Sequence, residues 1–469
     1  MKQVLSSLCL TIILLIAGAE AAGADVRLAD AAQRRDAAGV ASLLTQGVDV
    51  NTPQADGTSA LHWAAHWNEL EIAGRLLRAG ARANAPNRYG ITPLTLAAEN
   101  GSARMLDALL KAGADPNAGG TGEPPLLTAA RTGSADALKT LIAHGANVNA
   151  TESWRGQTGL MWAAAGNHVD AIRVLVEAGA GLDVQSPGGF SALMFAARDG
   201  ALDAARALVD AGANVNDVQG NGAGVLATAI SNLNYELAVM LLGKGARAAV
   251  QDKAGSTPLH ALVQARNPGA GQSVRMPRGS VDSLSLMKLL LTAGANPNAR
   301  TGEVANRPTT ERAILIDVGV NLGGATPLLL AARGADTAAI QLLVAHGADP
   351  AIATLEGVTP LMLAAGVGYV ESSDAGANTE TELRDTLTLL LALGVDINAA
   401  SAHGQTALHG SVYRAINPII RFLAERGARP DMKDEYGRTP LKLAEDGFNN
   451  MGHYRREEQA ALLRTLFPN

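Results

Sequence analysis

Eleven glycines recur along this chain at intervals of about 33 residues. Seven of the ten differences between their successive residue numbers lie between 32 and 34, and the other three exceed 33 by 16, 20 and 14. A fixed period of this length predicts a repeat architecture, in which each unit buries its apolar surface against its neighbours. The glycines are Gly47, Gly80, Gly113, Gly145, Gly179, Gly212, Gly245, Gly294, Gly347, Gly394 and Gly427.

Residues 88–118 show what one unit is built from. Thr92 is predicted to be an N-cap, with Pro93 at the first helical position, where its missing N–H costs nothing. A second apolar pattern over residues 103–112 predicts a second helix, which Gly113 ends as a left-handed C-cap. Both helices are too short to be stable alone in water, so the unit depends on its neighbours.

Two short motifs recur with this period. Thr-Pro-Leu opens the predicted first helix at Thr92, Thr257, Thr326, Thr359 and Thr439, and Gly-Ala-(Asp/Asn)-x-Asn follows the second helix at Gly113, Gly145, Gly212 and Gly294. In these motifs and this period the chain resembles the ankyrin-repeat family over essentially all of its length after residue 24. The resemblance implies an all-α repeat solenoid of about twelve units, each a helix–turn–helix plus a finger turn, with polar N- and C-terminal caps.

The period and its interruptions predict five segments. They are a signal peptide at 1–24, an N-terminal capping repeat at 25–53, regular repeats at 54–266, repeats with three loop insertions at 267–400, and final repeats with a C-terminal cap at 401–469. The insertions cover residues 267–282, 301–320 and 370–383. Long insertions in a scaffold are either functional or disordered, and the sequence leaves both open for the first and third. Ala313-Ile314-Leu315-Ile316 in the second predicts an ordered hairpin.

Residues 1–24 read as a targeting segment. Lys2 precedes an apolar run over residues 4–17, which is too short to span a bilayer comfortably, and small-x-small cleavage candidates end at Ala19, Ala21 and Ala24. This pattern predicts a secretory signal peptide and a periplasmic or secreted protein; the alternative is an uncleaved anchor. The only cysteine, Cys9, lies in the apolar run, so the mature chain is expected to have no disulfide framework.

Composition restricts both the interior and the partners. Hydrophobic residues make up 47% of the chain and aromatic residues only 3%, so the interior must consist of Ala, Leu, Val and Ile. The net charge of −6, without any basic run, argues against nucleic acid as a partner. We expect a monomer that binds another protein and has no membrane span after cleavage of the signal peptide.

The histidines do not predict a metal or catalytic site. Three of them, His66, His403 and His453, lie in different units and are too far apart to share one ion. No metalloprotease, nucleophile-elbow or phosphate-loop motif is present in a suitable setting, so we expect no catalytic residue, no metal and no cofactor. The other six fall on repeat positions and are expected to be structural: His62, His144, His168, His260, His346 and His409.

The ankyrin resemblance also implies where a partner would bind. Members of this family usually hold partners with the finger turns and the ends of the first helices, which line a concave face. Aromatic and Arg residues are the types that anchor interfaces, whereas Trp63, Trp162 and Phe195 are expected to fill the core between helices. The alternative for Tyr89 and Phe190 is packing onto adjacent finger turns. The candidate partner-binding residues are His66, Trp67, Tyr89, Arg131, Trp154, Phe190 and Arg198.

Two classes of function follow. The first is a non-enzymatic protein-interaction scaffold outside the cytoplasm, which would protect, inhibit or chaperone an exported enzyme, or meet a host or neighbour-cell protein. The second is small-molecule binding or catalysis built on the inserted loops at 267–383, which are also the rival site for a protein partner. A repeat scaffold by itself does not select between them.

Overall fold

A computed structural model of the chain describes residues 25–119, 122–267, 277, 279–302, 322–368, 378–447 and 456–468. Within these residues, 24 helices follow one another as twelve helix pairs, which we number repeats 1 to 12. The only β pairing in the same ranges is two isolated bridges, Thr151–Thr158 and Val218–Gly224, within finger turns. The predicted all-α repeat fold is therefore confirmed.

Each repeat contributes a first and a second helix. The first helices are Arg27–Gln33, Ala60–His66, Pro93–Glu99, Pro125–Thr132, Gly159–Ala165, Ala192–Asp199, Val225–Ser231, Pro258–Arg266, Pro327–Arg333, Pro360–Ala365, Ala407–Arg414 and Pro440–Asp446. The second helices are Ala37–Thr45, Leu70–Arg78, Ala103–Lys111, Ala135–Ala143, Val169–Glu177, Leu202–Asp210, Tyr235–Gly243, Ser283–Thr292, Thr337–Ala345, Glu380–Ala392, Asn417–Glu425 and Glu457–Leu466.

The chain forms two compact units. Met1–Gly181 contains repeats 1 to 5, and Leu182–Asn469 contains repeats 6 to 12. Within each unit, first helices pack on first helices of the next repeat and second helices on second helices. None of the helices in the described ranges has the length and apolar character needed to cross a membrane.

The starts of the first helices follow the sequence pattern. The Thr92 hydroxyl accepts a hydrogen bond from the Thr95 N–H at 3.2 Å, and Pro93 occupies the first turn. Leu94, Ala97 and Ala98 of this helix are buried. The same side-chain cap forms at the other Thr-Pro-Leu sites: Thr257, Thr326, Thr359 and Thr439.

The periodic glycines are required for backbone conformation. Gly113 has a φ of 87°, and all eleven lie between 76° and 101°, in the left-handed region. A Cβ built at any of them would meet no atom within 4 Å. Space is therefore available for a side chain, and only the strained φ excludes one.

The asparagines that follow these glycines connect consecutive repeats. The Asn84 amide donates to the Gly113 carbonyl at 2.7 Å, and its oxygen accepts from the Asp115 N–H at 2.7 Å. One asparagine side chain thus satisfies a backbone donor and a backbone acceptor of the next repeat. The sequence alone suggests only that these asparagines favour turns. Equivalent pairs of bonds form at Asn51, Asn117, Asn149, Asn216, Asn298 and Asn398.

The insertions are described only at their ends. The predicted hairpin at Ala313-Ile314-Leu315-Ile316 lies outside the described residues. The last four residues assigned to the third insertion, 380–383, are helical and open Glu380–Ala392. The helix starts early because Thr379 and Glu382 form a capping box: the Glu382 N–H donates to the Thr379 hydroxyl, and the Glu382 carboxylate accepts from the Thr379 N–H at 2.7 Å.

Candidate functional site

Three candidate residues in repeats 2 to 5 expose large aromatic side chains. Trp67 follows the first helix of repeat 2 and is 41% exposed. Tyr89 and Trp154 lie in the finger turns that precede repeats 3 and 5, and they are 60% and 54% exposed. All three belong to the unit Met1–Gly181. Packing inside the fold leaves about half of each side chain available to a partner.

Trp67 belongs to an aromatic cluster at the end of its helix. Its ring lies 4.5 Å from the His66 ring and 6.5 Å from the Trp63 ring, centroid to centroid. The Trp63 indole N–H donates to the Gln54 side chain at 2.8 Å. The prediction that Trp63 fills the core is wrong: it is only half-buried. The first helix is short, and an indole at this position extends past the paired alanines to the surface.

Trp162 and Phe195 occupy the position equivalent to Trp63 and differ in their burial. Phe195 is buried, as predicted. Trp162 is half-buried, so its assignment to the core is also wrong. Its indole N–H is shielded from solvent and has no hydrogen-bond partner among the described residues. The phenyl ring fits between the helices, whereas the larger indole does not.

The finger turn that carries Trp154 is held by a buried carboxylate. Glu152 accepts the backbone N–H groups of Trp154 and Arg155 at 2.7 Å each, and that of Gln157 at 3.0 Å. In the finger of repeat 3, the Asn87 side chain accepts the Tyr89 N–H at 3.0 Å. Both exposed rings therefore project from turns that internal hydrogen bonds hold in place.

Arg131 is half-exposed at the end of the first helix of repeat 4. Its guanidinium lies 3.5 Å from the Glu123 carboxylate, which also accepts the Thr128 hydroxyl at 2.8 Å. The Arg131 carbonyl contacts the His168 ring nitrogen at 3.0 Å. The side chain is thus oriented by a finger carboxylate of its own repeat.

The two candidates in repeat 6 contact each other. The Arg198 guanidinium lies 4.6 Å from the Phe195 ring and 5.9 Å from the half-buried Phe190 ring, and the two rings are 5.6 Å apart. Arg198 also pairs with Asp199 at 2.9 Å. These contacts pack Phe190 within its own repeat, and the alternative that it packs onto adjacent finger turns stays a prediction. Both residues belong to the unit Leu182–Asn469.

Beside Phe190 and Arg198 lies a groove that the sequence analysis missed. It has a volume of about 380 Å³ and is formed by the finger turns and first helices of repeats 6 to 8. Its floor consists of small residues, among them Ala223, Ala227 and Ala261. Alignment of the repeats could have revealed this groove, because other repeats carry large side chains at the positions of Ala223 and Ala261.

Three histidines are buried parts of helix caps. His62 Nδ1 accepts the Ser59 N–H at 3.1 Å, and its Nε2 contacts the Ile91 carbonyl of the next repeat at 3.0 Å. Burial lowers the pKa of His62, His260 and His409, so each is neutral near pH 7. His260 and His409 repeat this geometry with Thr257 and Ala325, and with Thr406 and Arg438.

The remaining histidines form no metal centre within the described ranges, where no group of three or more His, Cys, Asp or Glu could hold an ion. His403 lies 2.8 Å from the Glu435 carboxylate and 3.8 Å from that of Glu356. His144 contacts Asp107, and His346 contacts the Leu342 carbonyl. His453 lies outside the described residues.

Known proteins similar to this chain share its repeats. The family described as Ankyrin repeats (3 copies) matches residues 28–119 and 126–219, and the family Ankyrin repeat matches residues 323–355. The B-cell lymphoma 3 protein homolog of Mus musculus is 30% identical over 177 residues, which is 34% of this chain and 36% of that protein. Ankyrin repeat and SOCS box protein 16 of Homo sapiens is 32% identical over 232 residues, 49% of this chain and 41% of that protein.

Among solved structures, the human ASB11 ankyrin repeat domain is 28% identical, with a TM-score of 0.43, over 46% of this chain and 96% of that domain. The matches with the curated relatives named above span less than half of each relative's own length. Ankyrin repeats generally mediate protein–protein interactions and are typically non-enzymatic. The family matches, the twelve helix pairs and the recurrent helix caps lead to one conclusion: this chain is an ankyrin-repeat protein.

Proposed function

We propose that this protein is a non-enzymatic scaffold that binds another protein through the finger turns and first-helix ends of repeats 2 to 6. The observation that carries the proposal is the exposure of Trp67, Tyr89 and Trp154, at 41%, 60% and 54%. Aromatic residues make up only 3% of the chain, yet these three are exposed, two in finger turns and one at a first-helix end. Residues of this type dominate the binding energy of protein interfaces.

The remaining candidates lie at the same two kinds of position, finger turns and first-helix ends. His66 adjoins Trp67, and Arg131 is oriented by Glu123 in repeat 4. In repeat 6, Arg198 covers Phe190 and Phe195 and presents a partly exposed guanidinium. The partner would be an exported enzyme that the scaffold protects, inhibits or chaperones, or a protein of a host or neighbouring cell.

Site-specific photocrosslinking in intact cells tests the surface. A benzophenone amino acid in place of Tyr89 is expected to give one dominant crosslinked protein. The matched control replaces Leu289, which is 43% exposed on the second helix of repeat 8 and is therefore accessible without belonging to the proposed surface. A partner captured from position 289 and not from position 89 would contradict the proposal.

We further propose that the protein acts outside the cytoplasm, in the periplasm or beyond the cell. Support comes from the apolar run over residues 4–17 and the cleavage candidates at Ala19, Ala21 and Ala24. N-terminal sequencing of protein isolated from the cell envelope is expected to find a first residue between Glu20 and Asp25. An intact Met1 would show that cleavage does not occur.

The alternative function, small-molecule binding or catalysis on the inserted loops, stays a prediction. Residues 268–276, 303–321 and 369–377 lie outside the described part of the chain. Deletion of residues 370–378, which keeps the Thr379 and Glu382 cap of the following helix, tests the third loop as a rival partner site in the same binding assay.

A further inference from the structure

The groove on repeats 6 to 8 differs from the aromatic surface in both shape and chemistry. It exists because the register places small residues where other repeats carry large ones. Ala261 follows Leu259-His260 as Trp63 follows Leu61-His62, so the two residues occupy the same position on their helices. In the same way, Ala223 stands where the finger of repeat 6 has Phe190. Because repeats 7 and 8 lack these large side chains, a volume of about 380 Å³ lies between Phe190 and Arg198 on one side and the first helix of repeat 8 on the other.

The groove is lined by amides and hydroxyl groups with unused hydrogen-bonding capacity. The Gln219 amide donates to Thr228 at 2.8 Å, which leaves its carbonyl oxygen available. Asn232 donates to the Thr228 carbonyl at 2.9 Å, which also leaves its oxygen available. The side chains of Ser231 and Gln264, both exposed, form no hydrogen bond with any described residue. The groove therefore presents both donors and acceptors that no described residue uses.

The charged groups at the groove are already engaged. Arg198 forms an ion pair with Asp199 and lies over two phenyl rings. One oxygen of Asp252 accepts the Ala254 and Ser256 N–H groups at 2.9 and 2.8 Å. The other polar residues that line the groove are neutral amides and hydroxyl groups, and a neutral ligand loses less hydration there than a charged one.

We propose that this groove holds an extended, uncharged segment of a partner protein, bound mainly through its main-chain amides. The proposal rests on the proposed function in one respect, that the partner is a polypeptide. An extended chain leaves its main-chain N–H and C=O groups without internal partners and presents them to one side at every second residue, so that unused side-chain amides and hydroxyl groups can pair with them. First helices spaced roughly 8–10 Å apart make the groove long enough for about five or six such residues.

A bound helix would need a different surface. A helix satisfies its own main-chain groups and is recognised by apolar anchors three and four residues apart. The apolar side chains that line this groove are Phe190 and Val250 and the alanines Ala223, Ala227 and Ala261, so most of them are single methyl groups that offer little surface to such anchors. The extended segment is therefore the occupant that the side chains favour.

The test uses the full chain and a phage library of linear twelve-residue peptides, with the best binder resynthesised with a fluorescein label. Ala261→Trp restores the side chain that repeats 2 and 5 carry at this position, and it is expected to weaken peptide binding at least tenfold in fluorescence anisotropy. Leu289→Trp, in the same repeat but on the second helix, is the matched control and is expected to leave affinity unchanged. Gln264→Glu, an isosteric change at an exposed residue, is expected to weaken binding about fivefold, and it tests the proposal even if Ala261→Trp fails to fold.

The peptide itself reports how it is held. N-methylation of alternate residues is expected to cost at least tenfold in affinity, and an alanine scan is expected to show a period of two. A period of three to four would identify a helical occupant and overturn the proposal. So would unchanged binding by both Ala261→Trp and Gln264→Glu, or a library that yields no binder. Trp67→Ala is expected to leave peptide affinity unchanged, so failure of the aromatic surface and failure of the groove can be told apart.

Discussion

At the scale of single residues, the link between the two helices of a repeat has a left-handed backbone. This position is glycine in repeats 3, 4 and 6 and asparagine in repeats 2 and 5, the types that adopt positive φ most readily. Leu233, Ala335 and Ala415 also occupy it, with φ of 63°, 50° and 56°. These residues are strained, because an L side chain in this region costs about 1–2 kcal/mol.

Ala415→Gly is therefore expected to stabilise the protein by about 0.5–1 kcal/mol, after the entropy cost of glycine is subtracted from the strain relieved. The measurement is the urea midpoint followed by circular dichroism. Ala461→Gly, at an exposed position inside the last helix, is the control and is expected to destabilise by a similar amount. Destabilisation by both substitutions would show that Ala415 is unstrained.

The buried histidines give the protein a specific response to acid. In the folded state, Nδ1 of each must accept a hydrogen bond from a helix cap, and burial lowers its pKa below the ordinary value of about 6.5. Below pH 6.5 the unfolded chain therefore takes up protons that the folded chain does not, and stability falls as pH decreases. The loss is at most about 1.4 kcal/mol per pH unit for each histidine, until the folded-state pKa is reached.

We predict that His260→Met flattens this dependence. Methionine occupies the equivalent position in repeat 5, as Met161, so the substitution has a precedent in the same chain. Urea titrations at pH 7.5, 6.0 and 5.0 are expected to show a smaller loss of unfolding free energy than in the wild type. All other ionisable groups are common to both proteins and cancel in the comparison. Identical slopes would mean that the pKa of His260 is the same in the folded and unfolded states.

At the scale of elements, an ion pair secures repeats 8 and 9 beside the first insertion. Arg266, at the end of one first helix, donates to both carboxylate oxygens of Asp336 at 2.7 and 2.9 Å, and Asp336 also accepts the Ala339 N–H as an N-cap. The two side chains are only 18% and 8% exposed. These hydrogen bonds hold the pKa of Asp336 below its ordinary value although burial alone would raise it.

Arg266→Ala is expected to cost about 3–5 kcal/mol, because it leaves a buried carboxylate without its partner. Arg75→Ala, which breaks the exposed pair with Glu71 at 2.9 Å, is expected to cost less than about 1 kcal/mol. Both are read as changes in unfolding free energy in urea. Equal effects would show that the Arg266 pair is effectively hydrated.

Elements were more predictable from the sequence than surfaces. Thr92, Pro93 and Gly113 act through contacts within one unit, so their roles could be predicted from local chemistry alone. The exposure of Trp63 and Trp162 depends on how far neighbouring helices cover an indole, and the repeat pattern does not contain that information. The register does show that repeats 7 and 8 have alanine at positions where other repeats have large side chains, but the volume that results depends on how the neighbouring helices pack.

At the scale of the whole molecule, stability and recognition use different parts of each repeat. The paired helices, glycines and asparagine bonds recur with little change, and each repeat is supported mainly by its neighbours. Finger turns and first-helix ends vary, from the Tyr89 ring to the alanine floor of the groove. A scaffold of this kind can change its partner by substitutions at the variable positions without loss of the fold.

The most direct test of the protein-binding proposal is the affinity of the crosslinked partner, measured by isothermal titration calorimetry. Trp67→Ala combined with Trp154→Ala is expected to raise Kd at least tenfold, because each removes an exposed aromatic anchor. Tyr436→Ala, a control at an equally exposed finger residue in repeat 12, is expected to leave Kd unchanged. An unchanged Kd in the double mutant, together with lost binding on deletion of residues 370–378, would contradict the account and assign recognition to the inserted loop.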